Sequence, residues 1–122
     1  MQSPRDEGAA AVEFALVVPL LVVLLLGIVD MGVAFNAKLA VTQAAREGVR
    51  AVALGGTSDD AQARVDRAVG AINRLVLAPV SADECSQVGD EAVVSVDGSV
   101  ATILPILGDI PVGAQAVMRC GG

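Results

Sequence analysis

Histidine, tryptophan and tyrosine are missing from the chain, and phenylalanine occurs only as Phe14 and Phe35. The only thiols are Cys85 and Cys120, which stand 35 positions apart. With no imidazole and two distant sulfurs, a structural zinc site lacks its ligands. Acid–base and nucleophilic catalysis lose their parts too: no nucleophile is flanked by a base, and there is no Gly-rich phosphate loop. Two aromatics, both in the N-terminal third, cannot build a platform for stacking bases. Positive charge is scarce: beyond Arg50 stand four basic residues (Arg64, Arg67, Arg74 and Arg119) against nine acidic ones. That balance offers nothing to neutralise a row of phosphates. The expectation is a protein that is not an enzyme, takes no metal or cofactor, and binds no nucleic acid.

What the chain has in abundance is apolar sequence, 54% of 122 residues, much of it gathered near the beginning. The stretch "GAAAVEFALVVPLLVVLLLGIVD" runs from Gly8 to Asp30, and Ala9–Val29 is twenty-one residues with Glu13 as the only charge. Twenty-one helical residues extend roughly 30 Å, the thickness of a bilayer core. A cleaved secretory signal would carry a positive start and a small-x-small site after the run, whereas the "DMGVAFNAK" that follows reads as continuing helix. Pro19 is tolerated inside a transmembrane helix, often with a kink. Residues 9–29 therefore read as a transmembrane helix. Its orientation stays open: Lys38, Arg46 and Arg50 favour a cytoplasmic C-terminal side, and a cysteine pair favours the outside.

The apolar pattern continues past the span, free of Pro, until Gly55-Gly56 ends it. Leu39, Gln43 or Ala44, Glu47 or Gly48, and Ala51 would stack at helical spacing as an Ala-rich stripe. A helix over residues 9–55 is far longer than a membrane requires, so its distal half must pack on something else. Next, "TSDDAQARVDRAVGAINRLVLAP" reads as a second helix stopped by Pro79. Thr57 or Ser58 would cap it, Asp60–Arg64 would pair at i,i+4, and Ala61, Val65, Val69, Ile72 and Val76 would form its apolar face. "SADECSQVGDEA" reads as a solvated acidic loop, because its spacing is not that of a calcium loop. Asp97-Gly98 signals a hairpin turn within "AVVSVDGSVATIL", with Ala92, Val94 and Val96 on one face, and "VGAQAVMRC" alternates as a last strand. The fold expected is α+β: a long N-terminal helix, a second helix and a small antiparallel sheet of three short strands. The head, residues 56–122, is small for an independent core. For Cys85 and Cys120 the simple reading in an exported protein is one disulfide, with two buried free thiols as the alternative.

"GAAAVEFALVVPLLVVLLLGIVDMG" followed by "AVTQAAREGVRAVALGG" resembles the TadE-like family, pilin-like components of the tight-adherence (Flp) pilus. The features shared are a Gly before Glu13-Phe14, Pro19 within the run, and an "AAREGVRA" helix end; "IPVGAQAVMR" is similar to the family's last strand. The resemblance implies a pilin-like fold and a leader, Met1–Gly8, cut between Gly8 and Ala9 by a membrane-embedded prepilin peptidase. It also implies a single-pass protein of the cytoplasmic membrane with an extracytoplasmic head. Other pilin-like subunits, an assembly platform and an ATPase would be its partners. Phe14 where major Flp pilins have Tyr, and the long chain beyond it, point to a minor pilin or pseudopilin.

An ionised carboxylate in hydrocarbon costs roughly 2.5–3.5 kcal/mol even on lenient scales, so Glu13 needs a partner, an edge or a task. Cleavage would make Ala9 a free ammonium one helical turn from Glu13, and their pairing, within or between chains, would set an axial register. Interaction with the helix dipole, placement at the headgroup boundary and peptidase recognition are the other readings of Glu13. A second function stays beside the first: a single-pass envelope protein whose acidic head binds a partner and which never enters a fibre.

Overall fold

The computed structural model describes residues 4–121; Met1–Ser3, part of the expected leader, and Gly122 lie outside the described residues. Six elements follow one another: α1 (Pro4–Ala53), α2 (Ser58–Val69), β1 (Leu75–Leu77), β2 (Ser81–Asp83), β3 (Glu91–Val100) and β4 (Ile110–Arg119). The layout is α+β, a long N-terminal helix, a second helix and a small antiparallel sheet. α1 passes unbroken through Gly8-Ala9 and Pro19, so the helix already includes leader residues from Pro4 onward.

α1 ends where two glycines permit it. Gly55 takes φ +95°, its N–H donates to the Val52 carbonyl at 3.0 Å, and the Gly56 N–H donates to the Ala51 carbonyl at 3.0 Å. These two bonds close a Schellman cap and satisfy carbonyls the helix would leave bare. α2 starts at once. Thr57 is its N-cap in a capping box with Asp60, and the Glu84 carboxylate accepts from the Ser58 N–H at 2.6 Å. Asp60 is therefore occupied by the cap, and Arg64 reaches Glu47 of α1 at 3.8 Å instead of the expected Asp60. That exposed pair contributes little.

The second helix is shorter than its pattern suggests. It ends at Val69, and Leu75–Leu77 becomes β1, paired antiparallel with β3. Ala61, Val65 and Val69 are buried as expected, but Ile72 lies past the helix and Val76 is a strand residue 68% exposed. A free β3 edge needs a partner, and "LVL" is as good a strand as a helix end, so sheet pairing overrides the local pattern. β1 and β2 share that edge of β3. Leu77 faces Gly98 and Ser81 faces Ser95, so four steps on the edge match three on β3. Pro79 sits at this bulge, where it has no ladder N–H to withhold. Thus the expected acidic loop opens with a strand, and the sheet has four strands rather than three.

Asp97-Gly98 is not a turn. β3 runs straight through it, with Asp97 opposite Gly113 and Gly98 opposite Val112, and the connection to β4 is residues 101–109. Gly98 is needed for closeness: a Cβ there would stand 2.5 Å from the Val76 carbonyl oxygen.

The core lies between the sheet, α2 and the distal half of α1. Ala37, Val41, Ala44, Ala45, Val49 and Val52 of α1 meet Ala61 and Val65 of α2, and Ala92, Val94 and Val96 of β3. Of the expected stripe, Ala44, Gly48 and Ala51 are buried, whereas Leu39 is 68% exposed. Small side chains let the layers approach closely, most of all at Gly48, where an added Cβ would stand 3.2 Å from both Val65 Cγ2 and Val94 Cγ1. Gly48→Val therefore overpacks the crossing and destabilises the head by about 1–3 kcal/mol, read as a lower thermal midpoint of the detergent-solubilised chain. Gly48→Ala changes the midpoint far less, because better helix propensity, about 1 kcal/mol, offsets the crowding.

Candidate membrane and assembly interface

From Pro4 to Val29 no residue of α1 is buried; burial begins at Asp30. This bare half-helix is long and apolar enough to cross a membrane. It carries the residues singled out from sequence. Gly8 and Ala9 are exposed helical residues, and a Cβ on Gly8 would touch nothing within 4 Å, so packing does not require glycine there. Glu13 and Pro19 are exposed, and Phe14 is 70% exposed. In the uncut chain the Ala9 nitrogen is a peptide nitrogen, so Glu13 has no terminal amine beside it.

Beyond the bare half an exposed apolar stripe continues along α1 while its opposite flank is buried in the head. Met31, Phe35 and Leu39 recur at intervals of four and are 53, 68 and 68% exposed. Glu13 precedes Met31 by eighteen residues, about five turns, which places it on the same face. Lys38 flanks this face and donates to the Gly113 carbonyl of β4, tying helix to sheet.

Asp30 joins the two halves, and sequence reading did not single it out. Its carboxylate is fully buried and accepts from the Ile103 N–H at 2.9 Å and the Leu104 N–H at 3.1 Å. Arg74 approaches it at 3.6 Å, its side chain 33% exposed. The Ile103 N–H holds the Asp30 carboxyl below the usual carboxylate range; burial opposes this, and the Leu104 N–H and Arg74 reinforce it. Arg74 itself adopts φ +66°, a left-handed conformation uncommon outside glycine, and its carbonyl accepts from the Ala101 N–H at 3.0 Å. The Arg74 backbone thus holds the same connection that Asp30 holds, while its side chain reaches Asp30 itself. The signal was available: Asp30 is the first charge after sixteen uncharged residues.

At the other end of the head Cys85 and Cys120 form a disulfide, with Cα atoms 5.8 Å apart. The Cys120 N–H donates to the Asp90 carbonyl at 2.7 Å and the Gly121 N–H to the Ala53 carbonyl at 3.0 Å, so the bridge also fixes the strand exit against the end of α1. Of the acidic residues around it, Glu84 caps α2 and Asp90 accepts from the Gln87 N–H at 2.9 Å.

Residues 8–50 match the family model described as TadE-like protein, as the resemblance of the N-terminal residues led us to expect. The matched segment lies wholly within α1, covering the bare half from Gly8 onward, Asp30 and most of the helix that packs in the head. The match covers about a third of the chain and gives it a TadE-like segment on α1, whose N-terminal apolar half is a candidate membrane anchor. No curated protein and no solved structure matches the chain.

Proposed function

We propose, on the premise of a TadE-like helix, that the chain is a minor pilin or pseudopilin of a tight-adherence pilus, held in the cytoplasmic membrane by residues 9–29. Its head faces outward, where a disulfide such as Cys85–Cys120 persists. The observation that carries this reading is the apolar stripe Met31, Phe35 and Leu39, exposed beyond the span and in line with Glu13. A simple anchor has no use for apolar side chains facing water outside the bilayer. A helix that packs among copies or relatives of itself does, because neighbours cover the stripe.

Prepilin peptidase cuts between Gly8 and Ala9 in this reading. The Ala9 ammonium then lies one turn from Glu13, on its own chain or a neighbour's. Pairing removes the cost of a lone carboxylate at low dielectric and fixes the stagger between rods. The assembly platform and ATPase act on the subunit from the membrane and the cytoplasm. N-terminal sequencing of envelope-extracted protein should begin at Ala9, and Gly8→Leu should leave the chain uncut. Glu13→Ala should remain in the membrane fraction yet disappear from sheared surface filaments. A protein that retains its leader, with Glu13→Ala still present in filaments, would sink the proposal and leave the partner-binding anchor in its place.

A further inference from the structure

The connection between β3 and β4 carries an apolar tip that the head does not cover. Ile103, Ile106 and Leu107 are 48, 87 and 48% exposed, and no charged residue occurs from Ala101 to Gly108. The tip lies against the apolar half of α1. Leu104 Cδ1 stands 3.9 Å from where a Cβ on Gly27 would be, and Leu104 and Leu107 line a shallow trough with Val23, Leu24 and Ile28. The tip therefore shares its height along the helix with residues assigned to the span. From Asp30 back to Leu24 is six residues, about 9 Å of helix, which matches the roughly 5–10 Å that interfacial segments sink into a bilayer.

Most N–H groups of the tip have partners within the protein. Asp30 takes the Ile103 and Leu104 N–H groups, the Leu107 N–H donates to the Leu104 carbonyl at 3.1 Å, and the Gly108 N–H to the Pro105 carbonyl at 3.4 Å. The Thr102 hydroxyl donates to the Gly108 carbonyl at 2.7 Å, and Pro105 has no N–H to satisfy. Irregular backbone exposed to the hydrocarbon itself is not tolerated, so this tip suits the acyl boundary, where headgroups and water still reach the Ile106 N–H. In water the same arrangement would only expose three large aliphatic side chains.

We infer that the 103–107 tip inserts into the acyl boundary of the leaflet that α1 leaves near Asp30, so that lipid seats the head at a second place beside the span. The inference rests on residues 9–29 crossing the membrane, and its test separates the two. Because the chain has no Trp or Tyr, a single introduced tryptophan is the only strong fluorophore. Full-length Ile106→Trp, Leu24→Trp and Val88→Trp are placed in phosphatidylethanolamine–phosphatidylglycerol vesicles with plain or brominated acyl chains, each checked for an intact disulfide. Val88 is 86% exposed beside the disulfide and reports the far end of the head. Brominated lipid should quench Ile106→Trp and Leu24→Trp to similar extents, with blue-shifted emission, and leave Val88→Trp unchanged. Quenching of Leu24→Trp alone, with Ile106→Trp behaving like Val88→Trp, overturns the inference while the span stands. Blue-shifted but unquenched Ile106→Trp overturns it in favour of a protein surface over the tip. An unquenched Leu24→Trp removes the span and the inference together.

Discussion

Asp30→Ala lowers the thermal midpoint of the head in detergent by on the order of 15 °C, the range expected when one member of a buried, hydrogen-bonded charge pair is removed from a small domain. The substitution leaves the Ile103 and Leu104 N–H groups without their acceptor and Arg74 without its counter-ion. An unmade buried hydrogen bond costs more than a made one contributes, and here three partners lose the same carboxylate. Asp30→Asn keeps one acceptor oxygen and loses the charge, so its midpoint falls by less. Arg74→Met has the smallest effect of the three, because that side chain is 33% exposed and water replaces part of the interaction. Far-UV circular dichroism during heating measures all three. An Asp30→Ala chain melting with the wild type would show that the carboxylate does not hold the connection to α1.

The consequence reaches beyond stability. Asp30 is the first buried residue of α1 and holds the apolar tip against the helix where the bare half begins. Release of the connection therefore frees the tip from its level along the helix. Hydrogen exchange of the Ile103 and Leu104 amides should accelerate strongly in Asp30→Ala while the β3–β4 ladder stays protected.

The parts of this architecture legible in sequence are those governed by a single periodicity. The apolar run and its continuation gave a helix to Ala53, with Gly55-Gly56 ending it as a cap requires. Ala92, Val94 and Val96 alternated inward as read, and the two cysteines paired. Misreadings arose where a tertiary partner outvoted local chemistry. Leu75–Leu77 follows a helical pattern, yet β3 recruits it as an edge strand; Asp97-Gly98 has turn chemistry, yet its glycine answers to the close Val76 carbonyl. Leu39 was expected inward because it stacks at helical spacing with Ala44, Gly48 and Ala51, but only those three are buried, and Leu39 lies on the outer apolar flank with Met31 and Phe35. The position of Asp30 at the end of the uncharged run was visible, but what it binds was not. Its partners are backbone N–H groups at Ile103 and Leu104, and a backbone donor leaves no mark in a sequence.

Loss of the disulfide should be nearly as damaging as loss of Asp30, and at the opposite end of the head. Cys85 and Cys120 close a segment of 35 residues, and on the chain-entropy model such a closure stabilises a fold by about 3–4 kcal/mol. Packing offers little to replace it: the largest fully buried apolar side chains of the core are valines, and the head is small. The Cys85→Ser/Cys120→Ser double variant, or the wild type under reductant, should therefore show a urea midpoint lowered by that free energy. The change should be local in exchange measurements. Amides of Cys120 and Gly121, which donate to Asp90 and Ala53, lose protection, while Ile103 and Leu104 keep theirs on Asp30. Asp30→Ala gives the reverse pattern. Two clamps at opposite ends of one short core predict this crossed result, whereas a head stabilised evenly by its core would lose protection everywhere in both variants.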